Sequence, residues 1–449
     1  MPGLIGEDRF RAVATAALEL TGVDGVEVLY THEWGGLTRF ANSVIHQSTF
    51  REDTGLRVRV VSRNRTGVAS SNDFSERGAL EAAASAKEMA EVAAPDPLFP
   101  GLAPKADVPR VDRFFADTAD ATPTSRADAV SQLIDRCPAG FVAAGAFETA
   151  AAELGVANSE GQICWSPGTL ASLTTVMTGG EHGSGFAEVF SGSAEFIEPE
   201  VLGAHAAEKA VQSQRPVASE PGTYAVVLEP AAVATLAGFL AYVGFGGRGY
   251  LEDRSCFSGH AGQTVAAPSI SIWDDGADPR TLGAAFDFEG VPRQRVELIK
   301  DGVFLDAVYD LRTGKQAGRS STGHGLPAPN PEGPFPLNLF MGEGDSSLDD
   351  MIRSTQRGVL VTRFHYSNIV NPIESSITGM TRDGTFLIER GEVVGPVMNF
   401  RFTQSIIDAL KSVSLVGRKA ELASEFFFSA SRVPALKIEE FHFSGRSDH

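Results

Sequence analysis

Apolar positions along this chain follow two periods, and the switches between them lay out the predicted elements. From Glu7 to Leu20 the apolar residues Phe10, Val13, Ala14, Ala17 and Leu18 share one helical face. Alternating runs then predict short strands at Val26–Tyr30, Leu37–Ala41, Val44–Phe50, Leu56–Val61 and Thr66–Ser70, parted by Gly, Asn, Asp and Arg. Ser75 opens a helix over Ala79–Ala93. Residues 94–123 are rich in Pro and Asp and read as a traverse. Ser125, helped by Asp128, caps a helix through Arg136. Strands follow at Phe141–Ala151, Glu153–Asn158, Leu170–Thr178 and Gly185–Phe190, with a turn at Ser159-Glu160-Gly161. A helix starting at Pro199 runs to Gln214.

The stretch Arg215–Gly222 carries two prolines and a glycine, and the domain boundary is placed there. The second half opens with a strand, Tyr224–Leu228. Pro230, well suited to a first helical position, starts a helix over Ala231–Val243. Asp301-Gly302 between Val296–Lys300 and Val303–Leu305, and Asp383-Gly384 between Met380–Arg382 and Thr385–Ile388, each predict a hairpin. Ser347 with Asp350 caps a helix ending at Arg357-Gly358; another helix covers Gln404–Val413, and the last strand is Ala435–Phe443. The fold class is α+β, strand-dominated, with helices set on antiparallel sheet.

Composition narrows the function. The 449 residues are 43% hydrophobic and 21% charged, which suits a folded chain and not a disordered one. A net charge of −19 argues against a nucleic-acid coat, which needs a basic stripe. The densest basic run, Arg57–Arg65, alternates with valines and reads as the solvated face of a strand. Cys137, Cys164 and Cys256 are scattered and odd in number, so neither a disulfide framework nor a zinc ribbon is expected, and a reducing compartment is. The start, MPGLIGEDRF, lacks the basic and apolar regions of a signal peptide. No run approaches ~18 consecutive apolar residues. The expected location is the cytoplasm, away from membranes.

No motif for catalysis stands out. The histidines (32, 46, 182, 205, 260, 324, 365, 442 and 449) form no HExxH or HxH pair, and each is expected on the surface or in a structural role. Gly183-Ser184-Gly185 lacks the context of a nucleophile elbow. Cys256 and His260 are close in sequence only. Gly244–Gly249 follows a helix instead of a strand, so it reads as a helix stop and not a phosphate loop. Asp274-Asp275-Gly276 resembles a turn, and Asp349-Asp350 belongs to a helix start.

Several segments together resemble the TldD/PmbA (modulator of DNA gyrase) metallopeptidase family. They are Tyr224–Pro230 (YAVVLEP), Cys256–Gly276 (CFSGHAGQTVAAPSISIWDDG), Gly302–Thr313 (GVFLDAVYDLRT), Ser320–Gly325 (SSTGHG), Pro336–Met341 (PLNLFM) and Gly384–Val397 (GTFLIERGEVVGPV). Asn42, Gly55–Val60 and Gly155–Gly161 match in kind. The set spans nearly the whole chain in the family's order. The resemblance implies an N-terminal α+β domain over residues 1–215, of antiparallel strands with flanking helices. It implies a C-terminal strand-rich, barrel-like domain with a few helices over residues 222–449.

In the family's catalytic subunit an HExxxH motif lies on the helix after the VVL strand and, with a late Cys, holds zinc. Here Gly238, Phe239 and Val243 occupy the three motif positions, and no Cys follows Cys256. None of these side chains is a zinc ligand; Leu236, Phe239, Leu240 and Val243 form an apolar stripe instead. The pattern resembles the non-zinc PmbA (TldE) branch. The resemblance therefore implies no cofactor in this chain and no catalytic residue. It implies a TldD-like zinc subunit as heterodimer partner, or a homodimer with itself, and an unfolded or short peptide as substrate. Thr322, Gly323, His324 and Asn338, in the loop Ser320–Asn338, match family positions near the active site and are the substrate-binding candidates. The loop's prolines between Pro327 and Pro336 equally suit a surface loop. Two other readings stay open: an independent hydrolase built on His182, His260 or His324 with nearby carboxylates, and a homodimeric peptide-binding protein without catalysis.

Overall fold

A computed structural model of the chain describes residues 3–424 and 430–447. The first half is one antiparallel sheet with helices on one face. In chain order its elements are α1 (Glu7–Leu18), β1 (Gly25–Ala41), β2 (Val44–Ser62), β3 (Arg65–Ser71), α2 (Glu76–Val92), α3 (Ala116–Ala119), α4 (Pro123–Ile134), β4 (Phe141–Asn158), β5 (Ile163–Gly179), β6 (Gly183–Ser191) and α5 (Pro199–Gln212). The strand order is β3-β2-β1-β4-β5-β6. Runs expected as separate short strands are continuous: β1 passes through Thr31–Gly36, and β4 passes through Ala152. Their alternation persists through Gly35 and Gly36, because a ladder on both sides supplies what the local sequence lacks.

The helices explain that alternation. Val26, Val28 and Tyr30 of β1 point to α1 and α2, where Phe10 stacks on Tyr30 with ring centroids 5.4 Å apart. Helix α2 presents Ala79, Ala82, Ala83, Ala86 and Ala90 to the sheet, and these small residues let it sit directly on β3. A Cβ at Gly67 would stand 2.0 Å from the Ala86 carbonyl oxygen. Ser75 caps α2 as expected; α4 is capped one turn earlier than expected, by Thr122, in a capping box with Ser125. The opposite face of the sheet, around Leu29, Val156 and Cys164, packs on Phe286 of the second half.

That half contains β7 (Gly222–Leu228), α6 (Pro230–Gly244), α7 (Gly247–Leu251), β8 (Ile272–Asp274), β9 (Val296–Lys300), β10 (Val303–Phe304), α8 (Leu311–Gln316), β11 (Leu339–Met341), α9 (Leu348–Arg353), β12 (Arg357–Asn371), β13 (Ser376–Glu389), β14 (Glu392–Pro396), β15 (Phe400–Ser405), α10 (Ile406–Lys411), β16 (Val413–Ala423) and β17 (Ser431–Arg446). Strands β7, β12, β13, β15 and β17 pair successively, and β17 pairs back to β7, which closes a ring. The barrel-like character read from the family resemblance is therefore real. Its core is continuous, with Phe364, Phe400, Phe402, Phe441 and Phe443 in mutual ring contact beneath α6.

The Asp301-Gly302 hairpin forms between β9 and β10. Asp383-Gly384 does not make one. It lies inside β13, where Val361 pairs with Thr385 but Arg363 pairs with Arg382, so the pair is a bulge opposite Thr362. Asp383 (φ 54°) and Gly384 (φ 126°) take the same left-handed conformations a hairpin turn would require, which is why sequence could not separate the two. The true turn is Arg390-Gly391, between β13 and β14. Helix α9 ends at Arg353, and Arg357-Gly358 begins β12 instead of closing the helix. The helix expected from Gln404 starts at Ile406, because Gln404 and Ser405 finish β15.

Candidate functional site

Helix α6 carries the positions at which the family resemblance places zinc ligands. Its sequence, PAAVATLAGFLAYVG, is apolar around nearly its whole circumference, so it buries on several sides at once. Phe239 is 1% exposed and Val243 7%, both within the main core. Gly238 differs: nothing lies within 4 Å of where its Cβ would be. Cys256 is buried beside Gly244, and burial pushes its thiol up to about 12, which disfavours the thiolate a metal needs. The α6 positions thus offer an empty glycine and two hydrocarbon side chains, and these do not fit zinc. Among the described residues no three His, Cys, Asp or Glu side chains are grouped so as to hold a metal ion.

The four loop candidates converge, but in the interior. His324 is fully buried; its Nε2 lies 2.8 Å from Asp274 Oδ1 and its Nδ1 2.9 Å from Thr322 Oγ1. Asp274 Oδ2 accepts the backbone N–H of Asn338 at 2.6 Å. Gly323, at φ 78°, lies against the Pro292 carbonyl, where a Cβ would approach within 2.4 Å. The Asn338 side chain is equally buried, with its Oδ1 against Gly283. The turn read at Asp274-Asp275-Gly276 begins one residue later, at Asp275, whose side chain accepts the Ala277 N–H; Asp274 itself ends β8, is fully buried and organises this cluster. Burial opposes its ionisation, but His324, Arg293 and the Asn338 N–H outweigh burial and hold its carboxyl below the usual range.

This cluster continues into a row of buried charges that joins the halves. Arg293 lies between Asp274 and Asp287 electrostatically. Asp287 accepts the N–H groups of Glu289, Val291 and Gly325. Across the seam, Arg59 of β2 donates to Glu27 of β1 at 2.6 Å. Burial, then Asp287, raises the Glu289 carboxyl well above its ordinary range. Sequence reasoning read Arg57–Arg65 as a solvated strand face. Arg59 instead faces this seam, which no local pattern could reveal.

Open space lies elsewhere. A cleft of about 890 Å³ separates β6 and α5 from β14, β16 and the start of α6. None of Thr322, Gly323, His324 and Asn338 borders it. Its walls mix apolar Phe186, Leu360 and the exposed Val393 and Val394 with His205, Lys209, Glu229, Arg418 and Lys419. Among the described residues β6 ends the first sheet and β14 pairs with no strand other than β13, so each leaves an edge without a strand partner, engaged only at its end by Ser213 beside Ser184 and by Val217 beside Pro396. Polar ties cross the junction beside the cleft. Lys209 of α5 pairs with Glu229 at the start of α6. Ser184 of β6 donates to Asp383, whose other oxygen accepts from Arg363 Nε at 2.8 Å. The Gly183-Ser184-Gly185 serine is thus engaged in this tie. A smaller pocket of about 360 Å³ adjoins the cleft and is lined by Arg363 and His365. His182 and His260 lie outside both spaces, and His449 lies outside the described residues.

No helix among the described residues is long and apolar enough to cross a membrane. Residues 221–445 match the profile of the PmbA/TldA metallopeptidase C-terminal domain, and residues 26–90 that of PmbA/TldA metallopeptidase domain 1. The chain is 24% identical to Metalloprotease PmbA of Escherichia coli O157:H7 over 446 residues, 95% of each chain. It is 30% identical to the Metalloprotease TldD homolog of Haemophilus influenzae over 206 residues, and spans only 42% of that protein's length. The crystal structure of TldE from Thermococcus kodakarensis superposes with a TM-score of 0.87 at 22% identity, over 98% of this chain and 99% of the other, and so shares its fold. With a family profile covering half the chain and the barrel of the second half closed as the family resemblance implies, this chain belongs to the TldD/PmbA metallopeptidase family.

Proposed function

We propose that this chain is the metal-free subunit of a two-chain peptidase: it holds peptide, and a TldD-like partner supplies zinc and the hydrolytic step. The observation that carries the reading is α6, where Gly238, Phe239 and Val243 occupy the three ligand-motif positions and two of them are core residues. A helix committed to packing cannot also present a water-activating metal. The cleft supports the peptide-holding part. Unpaired strand edges offer main-chain donors and acceptors, which recognise extended peptide with little regard to sequence. Its mixed lining of valines, acids and bases is tolerant in the same sense.

The test is zinc content and peptidase activity of the purified chain, alone and mixed with a zinc-bearing TldD-like chain from the same source. Absence of both in the isolated chain, with cleavage on mixing, is the expected result. Stoichiometric zinc, or cleavage by the chain alone, overturns the reading.

A further inference from the structure

The bulge in β13 holds Asp383 and Gly384 in left-handed backbone opposite Thr362. For aspartate, which has a Cβ, this conformation is strained, and it persists where the surroundings impose it. A bulge also re-aims the side chains of its strand. Here it delivers the buried Asp383 carboxylate across the junction to β6, the last strand of the first sheet. One carboxylate oxygen accepts from Ser184 Oγ; the other accepts from Arg363 through Nε and Nη2. The Arg363 guanidinium in turn lies over the Phe186 ring, 4.1 Å from its centre. Ser184 and Phe186 are two residues apart on β6, so one carboxylate grips that strand twice, directly and through an arginine. Thr362 crowds the bulge from the other side: a Cβ at Gly384 would stand 2.5 Å from its Oγ1.

The grip matters because of what β6 borders. Phe186 lines both the cleft and the smaller pocket; Thr362 borders the first and Arg363 the second. Strand β5 fixes β6 within its own sheet, in unbroken register from Ala171 to Ser191. The Lys209–Glu229 pair ties α5, not β6, to the second half. We propose that Asp383 is the positioning residue of the cleft: through Ser184 and Arg363 it holds the β6 wall at one distance from β14 and β16. A wall fixed in advance need not be ordered when a ligand arrives, so its fixing adds to affinity. That the ligand is an extended peptide rests on the reading of the cleft as the peptide-holding site; the fixing of the wall does not.

Two readouts on the full chain test this. Spin labels at Val211→Cys and Glu392→Cys, exposed residues of α5 and β14 outside the cleft lining, report the distance across the cleft, with the half-buried Cys137 changed to serine. Affinity is followed by the anisotropy of a short, unstructured, fluorescein-labelled peptide. The parent is expected to show one narrow distance. Asp383→Ala is expected to broaden it and to weaken peptide binding by about tenfold. Loss of stability alone would lower the folded fraction without changing the distance within folded molecules. If Asp383→Ala does not fold, Ser184→Ala removes the direct grip alone and is expected to broaden the distance less. An unchanged narrow distance in the folded variants overturns the proposal, and so does a broadened distance with unchanged peptide affinity. A parent that binds no peptide, with the distance still broadened in Asp383→Ala, upholds the fixing of the wall and sinks the peptide-holding reading instead.

Discussion

Replacing Asp274 by alanine is expected to cost about 3–5 kcal/mol of stability, the range for removing one partner of a buried pair. The structure gives the components. The change strands two buried partners, the Asn338 backbone N–H and the His324 ring, each worth about 1–3 kcal/mol when left unsatisfied. It also leaves Arg293 facing one carboxylate fewer. Urea unfolding is the assay. For a slope of about 2 kcal/mol per molar, the midpoint of the transition that includes the second half falls by roughly 1.5–2.5 M. Asp274→Asn keeps an acceptor oxygen and the shape, and should lose distinctly less. The pH dependence adds a second signature. The folded carboxyl titrates below its ordinary value, so its contribution is present above the usual carboxylate range and fades as pH falls through the lower folded value. Asp274→Ala should lack that acid limb. If the cleft holds peptide as proposed, the affinity of the folded variant for it should be unchanged, since the cluster does not border the cleft. A loss below 1 kcal/mol, or a stable protein that no longer binds peptide, would refute the assignment of Asp274, His324 and Asn338 to the framework.

Three further outcomes follow from the packing. Glu289 titrates above its ordinary value when folded, so its stabilisation is present below that value and is lost as pH rises toward the folded one; Glu289→Gln should flatten this fall and make the protein more stable than the parent at neutral pH, as followed by thermal unfolding across a pH series. Gly238→Ala, with open space at its Cβ, should stabilise by about 0.5–1 kcal/mol, whereas Phe239→Ala should cost about 3–5 kcal/mol in chemical denaturation. Gly67→Ala should force α2 away from β3 and cost about 1–3 kcal/mol, visible as faster hydrogen exchange along α2.

What the sequence reveals and conceals follows from the range of the forces involved. Helix starts were legible because caps and first-turn prolines act within four residues: Ser75, Pro199, Pro230 and Ser347 all mark real starts. The Asp301-Gly302 turn was legible for the same reason. Asp383-Gly384 carries the same local signal, and only the pairing partner, β12, decides that it is a bulge. The missing ligands at Gly238, Phe239 and Val243 could be placed by family resemblance, and the packing of the last two followed from helical period. The fate of His324 could not be read. Its partner Asp274 is fifty residues away, and a buried histidine beside a carboxylate has the same sequence as one facing substrate. The cleft was equally hidden, since β6, α5, β14 and β16 come from both halves of the chain.

Strand β17 occupies an unusual place in the wiring. It pairs with β7, β11, β15 and β16, so the last strand described is the hub on which the second sheet is hung, and it is the strand that closes the ring. The first sheet, by contrast, is finished at Ser191. On a ribosome the first half has all its strands well before the second can assemble, and β7 with the apolar α6 must wait until synthesis passes Arg446 for the strand that covers them. Arrested nascent chains that stop short of Ser431 should therefore show a protease-resistant first half and a sensitive second half, with α6 as the segment most in need of a chaperone's shelter during translation.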